Sequence, residues 1–222
     1  MFGQKSDNLD VLNVNSKVDF TLLDPRATYA DIERLCDIAY KNQYYAVCVN
    51  PIYVSYAKGY IAKNFNNLIK VVSVIGFPLG ANKIDVKLLE AKQAIDDGAD
   101  EIDVVVNISM LKTRNYDYIK SEVVKLRKLA KKQILKIIIE TCYLDENDII
   151  KICKICSKAK ADYVKTSTGF GTGGVTENVI NILYRELSGK CKIKASGGIK
   201  SRAEAINLLK LGAERIGTSH II

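Results

Sequence analysis

Ala161-Asp-Tyr-Val-Lys-Thr-Ser-Thr-Gly169 is a short apolar run that ends on Lys165 and opens into a loop of small hydroxyl and glycine residues. Lys192-Ile-Lys-Ala-Ser-Gly-Gly-Ile199 repeats the arrangement with Lys194. Each reads as a buried strand that delivers a lysine to a loop, the position at which an α/β protein builds a site. Outward from these two, similar runs recur at 16–20, 46–50, 70–76, 101–107, 135–140 and 215–217. The segments between them carry a helical period, at 29–41, 54–63 (the shortest and weakest), 86–97, 116–132, 146–158, 177–187 and 201–211. Asp145 and Ser201 are suited to N-caps, and Gly98 and Gly212 to the glycine that follows a helix. Strands rich in Val and Ile throughout, as at 104–106 and 137–139, suit a parallel sheet covered on both faces. Eight such units without a composition break point to a single α/β domain over 1–222, a (β/α)8 TIM barrel. Residues 1–15 are expected to form an N-terminal cap or a loose segment. A doubly wound sheet is the alternative.

The 222 residues carry a formal net charge of +8 and six cysteines. The lysines are dispersed, several of them around the 116–132 helix, and aromatic residues do not interleave with them as on a nucleic-acid stacking surface. No apolar stretch is long enough to span a membrane, and the first eighteen residues are too polar and acidic for a signal peptide. A cytoplasmic location is expected, with the cysteines reduced and mostly filling the core. Cys153 and Cys156 form one C-x-x-C pair on a helical face. With no second pair, and with His220 as the only histidine, a zinc site is not expected.

In a barrel, the strand C-termini meet at one mouth, so residues distant in sequence can share a cavity. Alternation puts Lys165 on a face with Tyr163 and Ser167, Lys194 with Ser196, and Asp103 with Val105 and Asn107. Two lysines and a carboxylate in one polar cavity suggest amine nucleophile chemistry. A poorly hydrated lysine beside another ammonium is held partly neutral and can attack a carbonyl to form a Schiff base. The bland reading is surface lysines or an ordinary barrel ion pair. Gly169-Phe-Gly-Thr-Gly-Gly174 fits a G-x-G-x-x-G pattern, but it follows the sixth strand and no acidic residue ends the next one. It reads better as a backbone cradle for one phosphate, completed by Gly197-Gly198 and Gly217-Thr218-Ser219, or as plain turns. Cys48 falls near the mouth on the second strand. Glu140 ends the fifth, as a mouth carboxylate or, more simply, a barrel salt bridge. His220 is given no chemistry.

Seven strings resemble the deoxyribose-phosphate aldolase family in order along almost the whole chain. They are Val-Cys-Val-Asn-Pro (47–51), Val-Ile-Gly-Phe-Pro-Leu-Gly (74–80), Gly-Ala-Asp-Glu-Ile-Asp (98–103), Glu-Thr-Cys (140–142), Val-Lys-Thr-Ser-Thr-Gly-Phe-Gly (164–171), Lys-Ala-Ser-Gly-Gly-Ile (194–199) and Arg-Ile-Gly-Thr-Ser (215–219). The resemblance implies a barrel that reversibly cleaves 2-deoxy-D-ribose 5-phosphate to acetaldehyde and D-glyceraldehyde 3-phosphate, in deoxyribose phosphate catabolism. It implies Lys165 as the Schiff-base lysine, Lys194 as the lysine that depresses its pKa and relays protons, and Asp103 as the acid/base carboxylate. Thr21, Cys48 and Thr168 are implied substrate contacts, and Gly169, Gly197, Gly198, Gly217 and Ser219 phosphate positions. No metal or cofactor is implied. The expected partner is a small phosphosugar, not nucleic acid or membrane, with a homodimer as one option. A different phosphate-binding barrel enzyme and a basic nucleic-acid-binding protein remain as alternatives at this point.

Overall fold

Eight parallel strands close into a barrel in chain order, with β1 hydrogen-bonded to both β2 and β8. They are β1 (Val18–Leu22), β2 (Ala46–Val49), β3 (Lys70–Ile75), β4 (Glu101–Val105), β5 (Ile134–Ile138), β6 (Tyr163–Lys165), β7 (Lys192–Ser196) and β8 (Arg215–Thr218). This computed structural model describes residues 14–222. The cap or loose segment expected over 1–15 therefore lies outside the described residues, except for a helical turn at Val14 and Asn15. The closed barrel is the fold read from the sequence; the doubly wound alternative is excluded by the β1–β8 pairing.

Seven helices cross between successive strands: α1 (Tyr29–Lys41), α2 (Val54–Phe65), α3 (Ile84–Asp96), α5 (Tyr116–Leu129), α6 (Glu146–Ala159), α7 (Glu177–Leu187) and α8 (Arg202–Lys210). An additional short helix, α4 (Ile108–Lys112), precedes α5 and was not expected. Its start is set by the Asn107 side chain, which accepts from Met110 N at 3.1 Å, so the residue read as the last of the fourth strand caps a helix that begins at Ile108. The expected caps are in place. Asp145 and Ser201 each form a reciprocal capping box, with Asp148 and Glu204 respectively. The 54–63 segment, weakened by Gly59, still forms α2 because its buried Val54, Ala57 and Ile61 pack on the barrel.

Two cores result. The larger lies between strands and helices, and includes Phe20, whose ring meets Tyr44 at 5.5 Å. The barrel interior is divided. On the β2–β3 side it is filled by Ala46, Cys48, Val72 and Val74 with Leu23. The other side is lined with charge from β1 and β4–β8: Asp19, Glu101, Asp103, Lys136, Lys165, Lys194 and Arg215 are all buried. Charge in a barrel interior is tolerated only when paired, and the pairing builds the site.

Candidate active site

Register sets the arrangement. Asp103 on β4 lies opposite Lys136 on β5, and Lys165 on β6 opposite Lys194 on β7. Each Asp103 oxygen is committed. Oδ1 accepts from Lys136 Nζ at 2.9 Å; Oδ2 accepts from Lys165 Nζ at 2.9 Å and from Lys194 Nζ at 2.8 Å. Lys194 also donates to Asp19 Oδ2, and Arg215 donates to Asp19 Oδ1 at 2.8 Å. Glu101 closes the network through Lys136 and through Arg215, which lies at 3.4 Å. The Arg215 guanidinium stacks over the Tyr45 ring at 3.7 Å.

Four cations (Lys136, Lys165, Lys194, Arg215) thus share three carboxylates (Asp19, Glu101, Asp103). Burial alone would raise the carboxylate pKa values, but the surrounding cations outweigh it. Asp103 is held well below its usual range by Lys136, Lys165 and Lys194, and Asp19 is lowered to about 2 by Lys194, Arg215 and Lys136. Burial would lower Lys194 as well, yet Asp103 and Asp19 reverse the sign and its pKa rises. Lys194 therefore keeps its proton. Two ammonium groups on one carboxylate oxygen leave the network with a surplus cation, and Lys165 is the member that reaches the surface of a cavity.

That cavity measures about 430 Å³. Lys165 contributes to its wall together with Thr21, Thr168, Gly169, Gly197, Gly198, Gly217 and Ser219, so eight of the eleven residues singled out from the sequence meet there. Asp103 and Lys194 are fully buried and lie outside the lining; Asp103 pairs with Lys165, and Lys194 pairs with Asp103. Cys48 also lies outside it, and burial pushes its thiol pKa up, so the expected substrate contact at this position is not a cavity contact. Asp24 and His220 complete parts of the wall. Asp24 is paired with Arg26, and His220 Nδ1 lies 3.4 Å from Ser219 Oγ.

The glycine loops divide into two roles. A Cβ on Gly174 would stand 2.1 Å from the Gly197 carbonyl oxygen, so Gly174 lets the β6 loop dock backbone to backbone on the β7 loop, where Val175 N donates to Gly197 O at 3.1 Å. Gly198, at φ +82°, faces open space: a Cβ there would meet no atom within 4 Å. Of the G-x-G-x-x-G residues, Gly169 borders the cavity while Gly171 and Gly174 serve loop packing. Gly217 borders the cavity too, but it also makes room for Lys194, as a Cβ there would lie 3.0 Å from Lys194 Cε.

Glu140 corrects the simpler sequence reading. No ion pair forms to it among the described residues. Its carboxylate accepts instead from Thr168 N at 3.2 Å and from the Thr168 hydroxyl. Sequence reading missed Lys136, Glu101 and Arg215. Lys136 carried a signal, being a single charge inside Ile134-Leu-Lys-Ile-Ile-Ile139. Glu101 and Arg215 open their strands and look like ordinary strand ends.

Residues 10–214 match the sequence profile of the DeoC/LacD family aldolases. The deoxyribose-phosphate aldolase of Thermococcus kodakarensis is 47% identical over 204 residues, covering 91% of each chain. That of Finegoldia magna is 45% identical over 94% of this chain and 96% of its own. Among solved structures, the tetrameric deoxyribose phosphate aldolase of Aeropyrum pernix superposes with a TM-score of 0.86 at 34% identity, covering 94% of this chain and 87% of that one.

Proposed function

We propose, for a chain that belongs to the DeoC/LacD family of aldolases, that the cavity at Lys165 takes 2-deoxy-D-ribose 5-phosphate and cleaves it reversibly to acetaldehyde and D-glyceraldehyde 3-phosphate. The enzyme is a carbon–carbon lyase that works through a lysine Schiff base. The observation that carries the residue assignment is the Lys165–Asp103–Lys194 cluster, with both ammonium groups on one carboxylate oxygen and only Lys165 at the cavity wall.

The cycle begins when Lys165, as the free amine, attacks C1 of the open-chain sugar. Loss of water from the resulting carbinolamine gives an iminium that acts as an electron sink. Asp103, held ionised by its three lysines, removes the C3 hydroxyl proton through a water. The C2–C3 bond then breaks, and its electrons pass into the enamine. Glyceraldehyde 3-phosphate leaves, C2 is protonated, and hydrolysis releases acetaldehyde. Asp103 passes the proton it took from the C3 hydroxyl on to C2 of the enamine, while Lys194 keeps its own proton and holds the Asp103 carboxylate in place. Positioned proton transfer of this kind contributes about 10²–10⁴-fold. Gly169, Gly197, Gly198 and Ser219 are assigned to the phosphate, whose charge suits backbone amides on glycine loops at the end of a barrel. Thr21 and Thr168 are assigned to the sugar. The scheme uses no metal or cofactor.

A cytoplasmic setting belongs to this reading, supported by six cysteines that are all unpaired. No helix among the described residues is long and apolar enough to cross a membrane. A homodimer remains the proposed option for assembly. The test is turnover of 2-deoxyribose 5-phosphate, ribose 5-phosphate and fructose 1,6-bisphosphate by the unaltered enzyme and by Lys165→Ala. The expected result is activity on the first sugar that disappears in the variant. Retention of that activity in Lys165→Ala would refute the assignment.

A further inference from the structure

Glu140 occupies an unusual place. It follows β5, its backbone is left-handed at φ +52°, and it is 2% exposed. A left-handed conformation is ordinarily left to glycine or asparagine, and strain of this sort at a non-glycine residue points toward function. A buried carboxylate, moreover, normally has a cation beside it, and no ion pair to Glu140 forms among the described residues.

Besides the Cys142 thiol on its own loop, which donates to Oε1 at 3.9 Å, its partners lie on the neighbouring βα loop. The Thr168 amide is 3.2 Å from Oε1 and 3.3 Å from Oε2, and the Thr168 hydroxyl donates to Oε2. That hydroxyl accepts in turn from Phe170 N at 3.0 Å. Gly171 closes on the same group from above: a Cβ there would lie 3.1 Å from Glu140 Cδ and 2.7 Å from Cys142 Sγ. One carboxylate therefore holds Thr168 and, through the Thr168 hydroxyl, Phe170 N, beginning three residues beyond Lys165, with Gly171 packed against it. Thr168, Gly169 and Phe170 line the cavity, and Glu140 does not.

We propose that Glu140 is a positioning residue that acts through Thr168 to hold the β6 loop in the shape that receives the phosphate-bearing half of the substrate. This rests on the phosphosugar reading given above. A carboxylate suits the task because both oxygens accept, and charge-assisted bonds to an amide and a hydroxyl are stronger than neutral ones. An amide at this position would aim an N–H group at the Thr168 N–H.

The test compares Glu140→Gln, Thr168→Val and the double variant by three readouts. These are KM and kcat for 2-deoxyribose 5-phosphate, the same constants for unphosphorylated 2-deoxyribose, and the rate of borohydride trapping of acetaldehyde on the enzyme. Glu140→Gln is expected to raise KM for the phosphosugar by about tenfold or more, the size of losing hydrogen bonds to a charged group. The loss should fall on that KM at least several-fold more than on trapping or on the unphosphorylated sugar. The double variant should be no worse than the weaker single one, because both remove the same contact. Unchanged KM in Glu140→Gln, equal losses in all readouts, or additive effects would each overturn the proposal. Should Glu140→Gln fail to fold, Glu140→Asp, which keeps the charge but draws it one methylene back from Thr168, must show the same selective rise in KM. Failure of the unaltered enzyme to trap acetaldehyde would sink the Schiff-base reading of Lys165; the KM ratio still decides the Glu140 claim.

Discussion

Replacing Gly217 by alanine adds one methyl group to β8 at the point where the barrel interior is most tightly committed. That carbon would lie 3.0 Å from Lys194 Cε, 3.1 Å from Ser196 Cβ and 3.8 Å from Lys194 Nζ. The side chain cannot swing aside freely, because Lys194 is fully buried and donates to both Asp19 and Asp103. Overpacking of this sort costs about 1–3 kcal/mol. In a chain of this length each kcal/mol moves Tm by about 2–4 °C, so a drop of roughly 2–12 °C is expected in calorimetry. Displacing Lys194 from Asp103 by a few tenths of an ångström should lower kcat by about tenfold, within the roughly 10²-fold that a misplacement of 1 Å can cost. Gly198→Ala is the control. No atom lies within 4 Å of a Cβ there, so its cost comes from the backbone at φ +82°, and it should leave the Lys194 contacts intact. Gly217→Ala with unaltered Tm and kcat would refute the claim that Lys194 is sterically locked.

Three further outcomes are expected. Lys136→Met removes the partner of Asp103 Oδ1 and Glu101 Oε2, leaving Asp103 Oδ1 unpaired and Glu101 with Arg215 alone at 3.4 Å; a loss of about 3–5 kcal/mol is expected in urea unfolding, and a neutral result would show that solvent reaches the network. Acid stability follows from Asp19, whose pKa falls from 3.8 to about 2 on folding. A depressed carboxylate stabilises the fold above its unfolded pKa and loses that contribution as pH drops through the folded value, so about 2 kcal/mol should disappear between roughly pH 4 and pH 2; Asp19→Asn should flatten this part of the urea-midpoint profile, and an equally steep profile would contradict the assignment. Finally, Cys142 is half-buried while Cys36, Cys48, Cys153, Cys156 and Cys191 are buried with thiol pKa values pushed up, chiefly by burial. A thiol reagent should label one cysteine rapidly in the native enzyme and the other five only on unfolding; rapid labelling of Cys153 or Cys156 would contradict that packing.

The barrel was legible in the sequence because each strand covered on both faces writes a continuous apolar run, and each helix writes its own period and caps. Strand ends were less legible. Asn107, read as the end of the fourth strand, instead caps α4, which begins at Ile108, through a local hydrogen bond that hydropathy does not register. The lysines of the site stood out because they end runs that open into loops, as Lys165 and Lys194 do. Lys136, Glu101 and Arg215 did not stand out: a charge in a barrel interior is understood only once its partner on another strand is known. Glu140 was legible as a carboxylate at a strand end, but its role depends on Thr168, 28 residues away. Cys48 sits at the right level of β2, yet packing with Ala46, Val72 and Val74 draws it into the apolar half of the barrel.

The most direct test of the central claim is borohydride reduction of the enzyme saturated with 2-deoxyribose 5-phosphate, followed by peptide mass mapping. The account predicts one stable adduct, on Lys165, lost in Lys165→Ala and retained when Lys194 is replaced by leucine. An adduct on Lys194 or elsewhere, or none on folded and saturated enzyme, would contradict it.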